Sequence, residues 1–592
     1  MKKILIAVIL TSLISCSKIL DIQPLGIISG TTVYKDKNLI EANLLSLYSR
    51  TKLQDLGNQE NFNMGLLAGP GGEFRPFGDW QDPYIASIKI YDNTGAGLLD
   101  YWDYQGIRQL NEFIDGVNNS TFDQAYKNQK TSEARFLRAF IYFQMARRFG
   151  GVPIITKVQN VDDPKEQLYP ARNKEAEVYD FIGKEADAIA TLLPASYSDN
   201  DYGRPTKYAA MALKSRAMLY AGTIAKFGTL DLNGVVGIPA ADANKYFTAS
   251  MDASRMIMDN PAFSLYNKVP NDPVKNFTQL FTDESNNPEI IFAVRWDAKL
   301  NKGHSWDALC TPAGFTSGWN SNFNVFLEFV DLFDYQDGRS GVLDRTKLNN
   351  NNLWNVDSLF GLRDPRFRAS TFYPECIWQG KKVFFHSSTI FTNASGQRET
   401  NTNETYMIPN SVSAQFPDGF FAKAPSRNTQ KTGVYVRKRC DESLVPAVSA
   451  QSSTDFIVFR LGEILLNYAE AAFYLGKNAE ALTAYNLVRK RAQMPLRTSL
   501  TEANIRQERQ VELAFEEHRY WDLRRWRIAE QTLNGKRFQG LNYVYDFDRK
   551  KYIITLKNAE GAARVFLPKH YYLPLGINRI ADNPSLVENP GY

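Results

Sequence analysis

Two stretches of helical periodicity, separated by a long stretch that has almost none, limit what this chain can fold into. In the first block, residues 38–53 carry Leu39, Ala42, Leu45 and Tyr48 at helical spacing, which predicts one buried face. Residues 102–117 repeat the pattern with Ile107, Leu110, Phe113 and Ile114. Residues 132–149 follow and stop at Gly150-Gly151 with Pro153 beyond, the expected chemistry of a helix end. Further helices are predicted over 174–193, 206–222 and 243–259, and a second helical block spans about 454–530. Between the blocks, residues 260–450 are rich in Asn, Gly, Pro, Ser and aromatics, with only short strand-like runs such as 289–295 and 434–438. Strands and turns return from residue 540.

The second block has the spacing of a tetratricopeptide unit. With Ala481 as the small residue of the second helix, Ala469 and Ala472 fall at small positions of the first. Gly476 then falls at the turn, Tyr485 at the large position and Val488 near the end. Ala249, Ala253 and Met256 fit the second helix of another unit, after an insertion at about 223–242. The fold class expected is therefore mainly α: a tetratricopeptide-like helical-repeat scaffold carrying a loop-rich, aromatic-rich subdomain with short strands.

The N-terminus reads as an export signal. Lys2 and Lys3 precede an uncharged apolar run over 4–14, too short for the roughly 20 residues that cross a bilayer. Leu13-Ile14-Ser15-Cys16 closes that run and resembles a bacterial lipobox, which implies removal of residues 1–15 and acylation of Cys16. Past the signal there is no run of about 18 apolar residues. The net charge is +5, or +3 without Lys2 and Lys3, with no basic tract, which argues against a nucleic-acid partner. Cys310, Cys376 and Cys440 form no CxxC, and His304, His386, His518 and His570 stand in no ligand spacing. Neither a metal site nor a cofactor is indicated.

Several longer segments resemble the SusD/RagB family of nutrient-binding lipoproteins. They begin with Glu133-Ala134-Arg135-Phe136-Leu137-Arg138-Ala139 running on to Phe149-Gly150-Gly151-Val152-Pro153, then Arg363-Asp364-Pro365-Arg366. Arg460-Leu461-Gly462-Glu463-Ile464-Leu465-Leu466 with Ala469-Glu470-Ala471 follows, then Glu508-Arg509 with Glu512-Leu513-Ala514-Phe515-Glu516. Arg519-Tyr520-Trp521-Asp522-Leu523-Arg524-Arg525-Trp526 and the terminal Asn589-Pro590-Gly591-Tyr592 close the series. Glu588 departs from the Gln expected at its position. The resemblance implies about four tetratricopeptide-like helix pairs. It also implies capture of a polymer fragment, most simply an oligosaccharide, at the outer membrane, facing the cell exterior. The ligand would pass to a SusC-like, TonB-dependent transporter. A RagB-like peptide ligand is the alternative, and a surface glycosidase a more distant one. The division expected is 1–15 signal, 16–30 lipidated tether, 31–260 helical region, 261–450 loop-rich subdomain and 451–592 C-terminal helical region with its terminal segment.

The dense charges of the C-terminal motifs suggest catalysis only superficially. Glu512 and Glu516 share a helix face at i,i+4 and could act as acid and base. However, Glu508, Arg509, Glu512, Arg519, Asp522, Arg524 and Arg525 alternate in sign so closely that an ion-pair network is the simpler expectation. Ligand contacts are expected instead from aromatic rings, which stack on the apolar face of a sugar, and from planar polar groups that bond its hydroxyls. Residues 75–91 supply Arg75, Phe77, Asp79, Trp80, Asp82 and Tyr84, with Asn93 just after. Residues 304–322 supply Trp306, Trp319 and Asn320. Trp80 and Trp319 lead this set. Trp102, Trp521 and Trp526 are expected to be structural.

Overall fold

The computed structural model describes residues 30–53, 66–198, 201–284, 286–317, 319–393, 395–401, 419–421 and 431–592. The export signal, Cys16 and the tether to residue 29 lie outside the described residues.

Helices α1 (Lys37–Arg50), α2 (Tyr104–Asn118), α3 (Gln124–Phe149), α4 (Glu175–Ala190), α5 (Lys207–Phe227) and α6 (Ala243–Met258) form the first block. Helices α7 (Leu461–Tyr474), α8 (Asn478–Arg491), α9 (Glu502–Glu512) and α10 (Arg519–Arg525) form the second. From α2 to α8 each helix packs on the next, and α6 packs on α7 although some two hundred residues separate them. The scaffold is thus one continuous stack into which the loop-rich stretch is inserted. Ala469, Ala472, Ala481, Tyr485 and Val488 are all buried between α7 and α8, and Gly476 makes the turn at φ +75°.

Local chemistry fixes the helix ends. The Asp36 carboxylate accepts from the backbone N–H of Asn38 at 2.7 Å, capping α1. The Asp123 carboxylate accepts from the N–H of Tyr126 at 2.9 Å, so α3 begins eight residues before the expected start at 132. The polar run over 124–131 hides that start from a hydrophobicity pattern. Gly150, at φ +79°, ends α3.

Two expected faces are rotated. In α1 the buried residues are Ile40, Leu44 and Leu47, while Leu45 is 51% exposed. Both series have helical spacing, and burial of the aliphatic set, worth about 1.5–3 kcal/mol per side chain, decides between them. In α6 the face turned inward is Tyr246, Phe247, Ser250, Met251, Ala253, Ser254 and Ile257, while Met256 points outward. Small serines permit this close approach. Ser250 Oγ donates to the Ser215 carbonyl at 2.8 Å, and the Ser215 and Ser254 hydroxyls bond at 2.8 Å.

The strands are short. They include β1 (Phe74–Pro76), β2 (Ile290–Val294), β3 (Phe323–Val325), β4 (Thr371–Phe372), β5 (Ser388–Thr392), β6 (Tyr435–Val436), β7 (Phe456–Arg460), β8 (Gln539–Asp546) and β9 (Lys551–Asn558). One sheet has the order β1-β3-β6-β4, with antiparallel neighbours. β8 and β9 form a hairpin, and β5 joins β8 in parallel. β2 and β7 pair antiparallel, bringing Ile290 opposite Arg460 and closing the base of the insert.

The signature charges meet at that base. Arg460 donates through Nε to Glu516 at 2.7 Å, and through Nη1 to Glu289 at 2.8 Å and Glu512 at 2.6 Å. Arg366 bonds Asp364 at 2.7 Å, Glu508 at 2.6 Å and Glu512 at 2.9 Å. Arg489 reaches Glu508 at 2.7 Å and Arg491 reaches Glu289 at 3.0 Å, while Lys438 reaches Glu516 at 2.7 Å. Burial alone would raise the Glu512 carboxyl, but Arg491, Arg460 and Arg366 outweigh it and hold the group well below the usual carboxylate range. Burial pulls the Lys438 ammonium down to about 8, against the pull of Glu516. Residues of the insert (Glu289, Arg366, Lys438) are thereby bonded to residues of the scaffold, with Asp364 orienting Arg366. Glu133, Arg135 and Arg138 pair likewise: Arg135 and Arg138 both hold Glu185, at 2.7 and 2.9 Å, and Glu133 takes Arg204 at 2.8 Å. Glu588 accepts from the N–H groups of Leu575 at 2.8 Å and Gly576 at 2.9 Å, so the departure from Gln places a two-oxygen acceptor under a backbone bend.

Candidate functional site

The two loops that carry the leading tryptophans lie 239 positions apart, yet one strand pair joins them. β1 and β3 run antiparallel, with Phe74 opposite Val325 and Pro76 opposite Phe323. The chain leaving β1 through Phe77 to Trp80 therefore runs beside the chain arriving at β3 from Trp319. The Phe77 ring is the meeting point. It stacks on Trp319 with centroids 5.9 Å apart and planes 21° apart, and meets Trp80 edge-on at 5.3 Å and 87°. Trp80 is 70% exposed and Trp319 36%. The three rings make an aromatic platform with two orientations on the surface.

The platform rests on a braced floor. Gly78 has no side chain because the Trp80 ring occupies the space: a Cβ there would meet the indole at 2.8 Å. The Gly78 N–H donates to the buried Gln81 carboxamide at 3.0 Å, which fixes the turn ahead of the helix Asp82–Ile88. Arg75 is buried. Its guanidinium donates to the Pro76 carbonyl at 2.8 Å and the Ala559 carbonyl at 2.6 Å, pairs with Asp79, and lies 4.5 Å from the Tyr84 ring. Tyr84 is also buried, and its hydroxyl accepts from the Ala562 N–H at 3.0 Å. Beneath the platform, Phe74 packs on Phe323 at 4.9 Å and on Phe515 at 5.9 Å. Burial pushes the neighbouring Glu73 carboxyl up to about 7, with the Phe515 N–H as its bonded partner at 2.8 Å.

The eight residues singled out from sequence thus separate by environment. Trp80, Trp319 and the exposed Asp79 carboxylate face solvent, and Asn320, next to Trp319, is half-buried. Arg75 and Tyr84 support the loop from within. Trp306 is 1% exposed; its indole N–H donates to the Lys438 carbonyl at 2.8 Å, its ring stacks on Phe323 at 5.1 Å, and the Arg439 guanidinium covers it at 4.2 Å. Such a ring presents no face to an incoming ligand. Asn93 sits in a separate turn over 92–95, with its carbonyl bonded to the N–H of Ile577 at 2.9 Å. Phe77, present in the candidate segment but not among those eight residues, is the hub. Trp521 and Trp526 are core residues, and Trp102 is half-buried at the start of α2. No grouping of His, Cys, Asp and Glu able to hold a metal ion occurs among the described residues. No helix among them is long and apolar enough to cross a membrane.

Stacked helical hairpins carrying a loop-rich insert, with exposed rings where the insert meets the chain after β1, define a tetratricopeptide-like scaffold. The chain belongs to the SusD family: the model of that family matches residues 288–592. A second family model, described as "Starch-binding associating with outer membrane", matches residues 80–219. A SusD-like protein of Bacteroides ovatus is 23% identical, covering 100% of this chain and 98% of its own. A SusD-like protein of Formosa agariphila is 22% identical over 89% of this chain and 92% of its own. Among solved structures, a SusD-like carbohydrate binding protein of Bacteroides fragilis superposes with a TM-score of 0.69 at 22% identity, covering 94% of this chain and all of that one. A structure described as a laminarin binding SusD-like protein gives 0.60 at 20% identity, with the same coverage. At these identities the likeness to solved structures is one of fold.

Proposed function

We propose that this protein binds a glycan at the bacterial outer membrane without transforming it, and delivers it to a SusC-like, TonB-dependent transporter. The observation that carries the reading is the exposed platform of Phe77, Trp80 and Trp319 on a braced strand pair. Aromatic faces stack on the C–H faces of sugar rings, and Asp79 and Asn320 supply hydroxyl partners at its edge. Binding without catalysis is supported by the fate of Glu512 and Glu516, whose carboxylates are buried among arginines and lysine. The lipobox-like segment before Cys16 supports a lipid anchor, with the ligand-binding body on the external face.

Titration calorimetry against an oligosaccharide panel tests the reading. Trp80→Ala and Trp319→Ala are each expected to weaken binding while circular dichroism stays unchanged; unchanged affinity in both variants would overturn the site assignment. Mass spectrometry of ligand copurified from native membranes separates glycan from peptide. Pull-down from detergent-solubilised outer membrane should recover a large barrel, and repeated recovery of this protein alone would count against the transporter partnership.

A further inference from the structure

None of the platform rings lines either of two cavities, of about 930 and 460 Å³. One of these is a cleft of about 460 Å³, within the range of small-ligand sites. Its walls come from the start of α2 (Trp102, Tyr104, Ile107), from the strap that follows Gly150-Gly151 (Ile155) and from Leu168 and Pro170. Three contacts keep it open. The Tyr104 hydroxyl donates to the Pro153 carbonyl at 2.6 Å, and the Asn583 carboxamide donates to the Pro170 carbonyl at 3.0 Å. The Trp102 ring is held edge-on by Phe149 at 5.3 Å.

The charges lining the cleft are sorted in a telling way. Arg108 is neutralised by Glu112 at 2.8 Å, and Arg579 is paired with Asp100. The exposed Lys157 and Asp582 side chains have no ion-pair or hydrogen-bond partner among the described residues. One free ammonium and one free carboxylate beside an apolar wall give a net charge near zero with a strong donor and a strong acceptor. A purely anionic ligand would meet Asp582 and a purely cationic one would meet Lys157; a neutral polyol or a zwitterion can bond both, and the glycan reading of the function selects the polyol. Lys157 also borders the larger, shallower hollow of about 930 Å³ on the other side of the strap. That hollow carries amides and hydroxyls, among them Asn118, Asn119, Ser120 and Asn160, together with the charged Lys35, Glu112 and Asp115.

We propose that the cleft is a second carbohydrate subsite, taking a short stretch of a neutral glycan. The aliphatic walls, with the Trp102 edge left clear by the Arg579 guanidinium 5.1 Å from the ring centroid, would lie against the sugar faces, with Lys157 and Asp582 bonded to its hydroxyls. The hollow beyond Lys157 continues the track for a longer chain. The inference rests on the glycan reading of the function but not on the platform being the main site. Two subsites on one scaffold raise affinity for a polymer long enough to span both, because the second contact is then made at high effective concentration.

The test is calorimetry with maltohexaose, laminarihexaose and cellohexaose on the intact protein. Four forms are compared: unmodified, Trp80→Ala/Trp319→Ala, Lys157→Ala/Asp582→Ala, and all four substitutions together. The substituted Lys157 and Asp582 are exposed and unpaired, so the fold is expected to survive, with circular dichroism as the check. Expected are a two-site isotherm for the unmodified protein, one surviving site in the platform variant, and a loss of at least tenfold at that survivor when the cleft substitutions are added. A single-site isotherm abolished by the platform substitutions alone would overturn the cleft and leave the platform standing. An isotherm untouched by the platform substitutions but lost with the cleft pair would uphold the cleft and overturn the platform. Binding by the platform variant that ignores the cleft pair would overturn the inference, and no binding of any hexasaccharide to the unmodified protein would overturn both readings.

Discussion

Substituting Gly78 by alanine tests the platform without removing any ring. The new methyl would stand 2.8, 2.9 and 3.0 Å from three carbons of the Trp80 indole. Ordinary carbon–carbon contact is about 3.5–4.0 Å, so the ring must withdraw by roughly 0.5–1 Å. Trp80 is 70% exposed and free to swing, so the cost falls on orientation and little of it on stability. An offset stack of aromatic rings is worth about 0.5–1.5 kcal/mol beyond its area. Losing that alignment should weaken glycan binding by roughly 1 kcal/mol, about fivefold. Removing the ring outright in Trp80→Ala should cost about 2 kcal/mol, roughly 30-fold. The decisive measurement is the double-mutant cycle by calorimetry. In the Trp80→Ala background, Gly78→Ala should add nothing, giving a coupling of about 1 kcal/mol. The reasoning fails if Gly78→Ala leaves affinity unchanged, or if it weakens binding equally with and without the indole.

Three other outcomes follow from the buried machinery. Arg460→Met removes the one side chain bonded to Glu289, Glu512 and Glu516 together, leaving Arg491, Arg366 and Lys438 to hold three buried carboxylates, and should destabilise the fold by about 3 kcal/mol in urea unfolding; a loss under 1 kcal/mol would contradict the network. The carboxyls of Glu508, Glu512 and Glu516 all lie below their ordinary value when folded, despite burial that opposes the shift, because arginines and lysine hold them charged. The stability they contribute is therefore present above the ordinary carboxylate pKa of about 4.5 and lost as pH falls through the lower folded values. Thermal midpoints should drop steeply on acidification below about pH 4.5, and a flat profile there would refute the assignment. Trp306→Ala empties a core site and strips the Lys438 carbonyl of its donor. It should cost about 3–5 kcal/mol of stability, while glycan affinity measured on the surviving folded fraction stays near normal.

The helices were legible where period and small residues coincide, as at Ala469, Ala481 and Val488. The pattern is ambiguous where two faces compete: Leu45 and Met256 keep the spacing of a buried stripe but lose to Leu44 and Ile257, because packing partners distant in sequence choose the face. The start of α3 is hidden from the pattern because residues 124–131 are polar and only the Asp123 cap marks it. For the candidate site, composition picked out two aromatic loops. It could not show that Phe77 joins them, since that depends on the register of β1 against β3, nor that Trp306 turns inward to the Lys438 carbonyl. Exposed and buried tryptophans look alike in a sequence; only the partner of the indole N–H and the covering guanidinium tell them apart.

The pairing of β2 with β7 places the entrance and exit of the insert side by side, with Arg460 gripping Glu289 across the doorway. An excursion whose two ends already touch can change its length or surface loops without altering the distance the scaffold must span. Between those ends, the helices α6 and α7 meet as though nothing intervened. The molecule is thus organised as a frame with an inserted face, and a transplanted insert would need a small set of matched features. These are the strand pair at the base with Glu289 for Arg460, the basic side chains Arg366 and Lys438 for the scaffold's Glu508, Glu512 and Glu516, the β5 strand for β8, and an edge on β3 able to receive β1. The last carries a particular consequence: because Trp80 arrives from outside the insert, part of the proposed recognition surface stays with the frame whatever face is fitted.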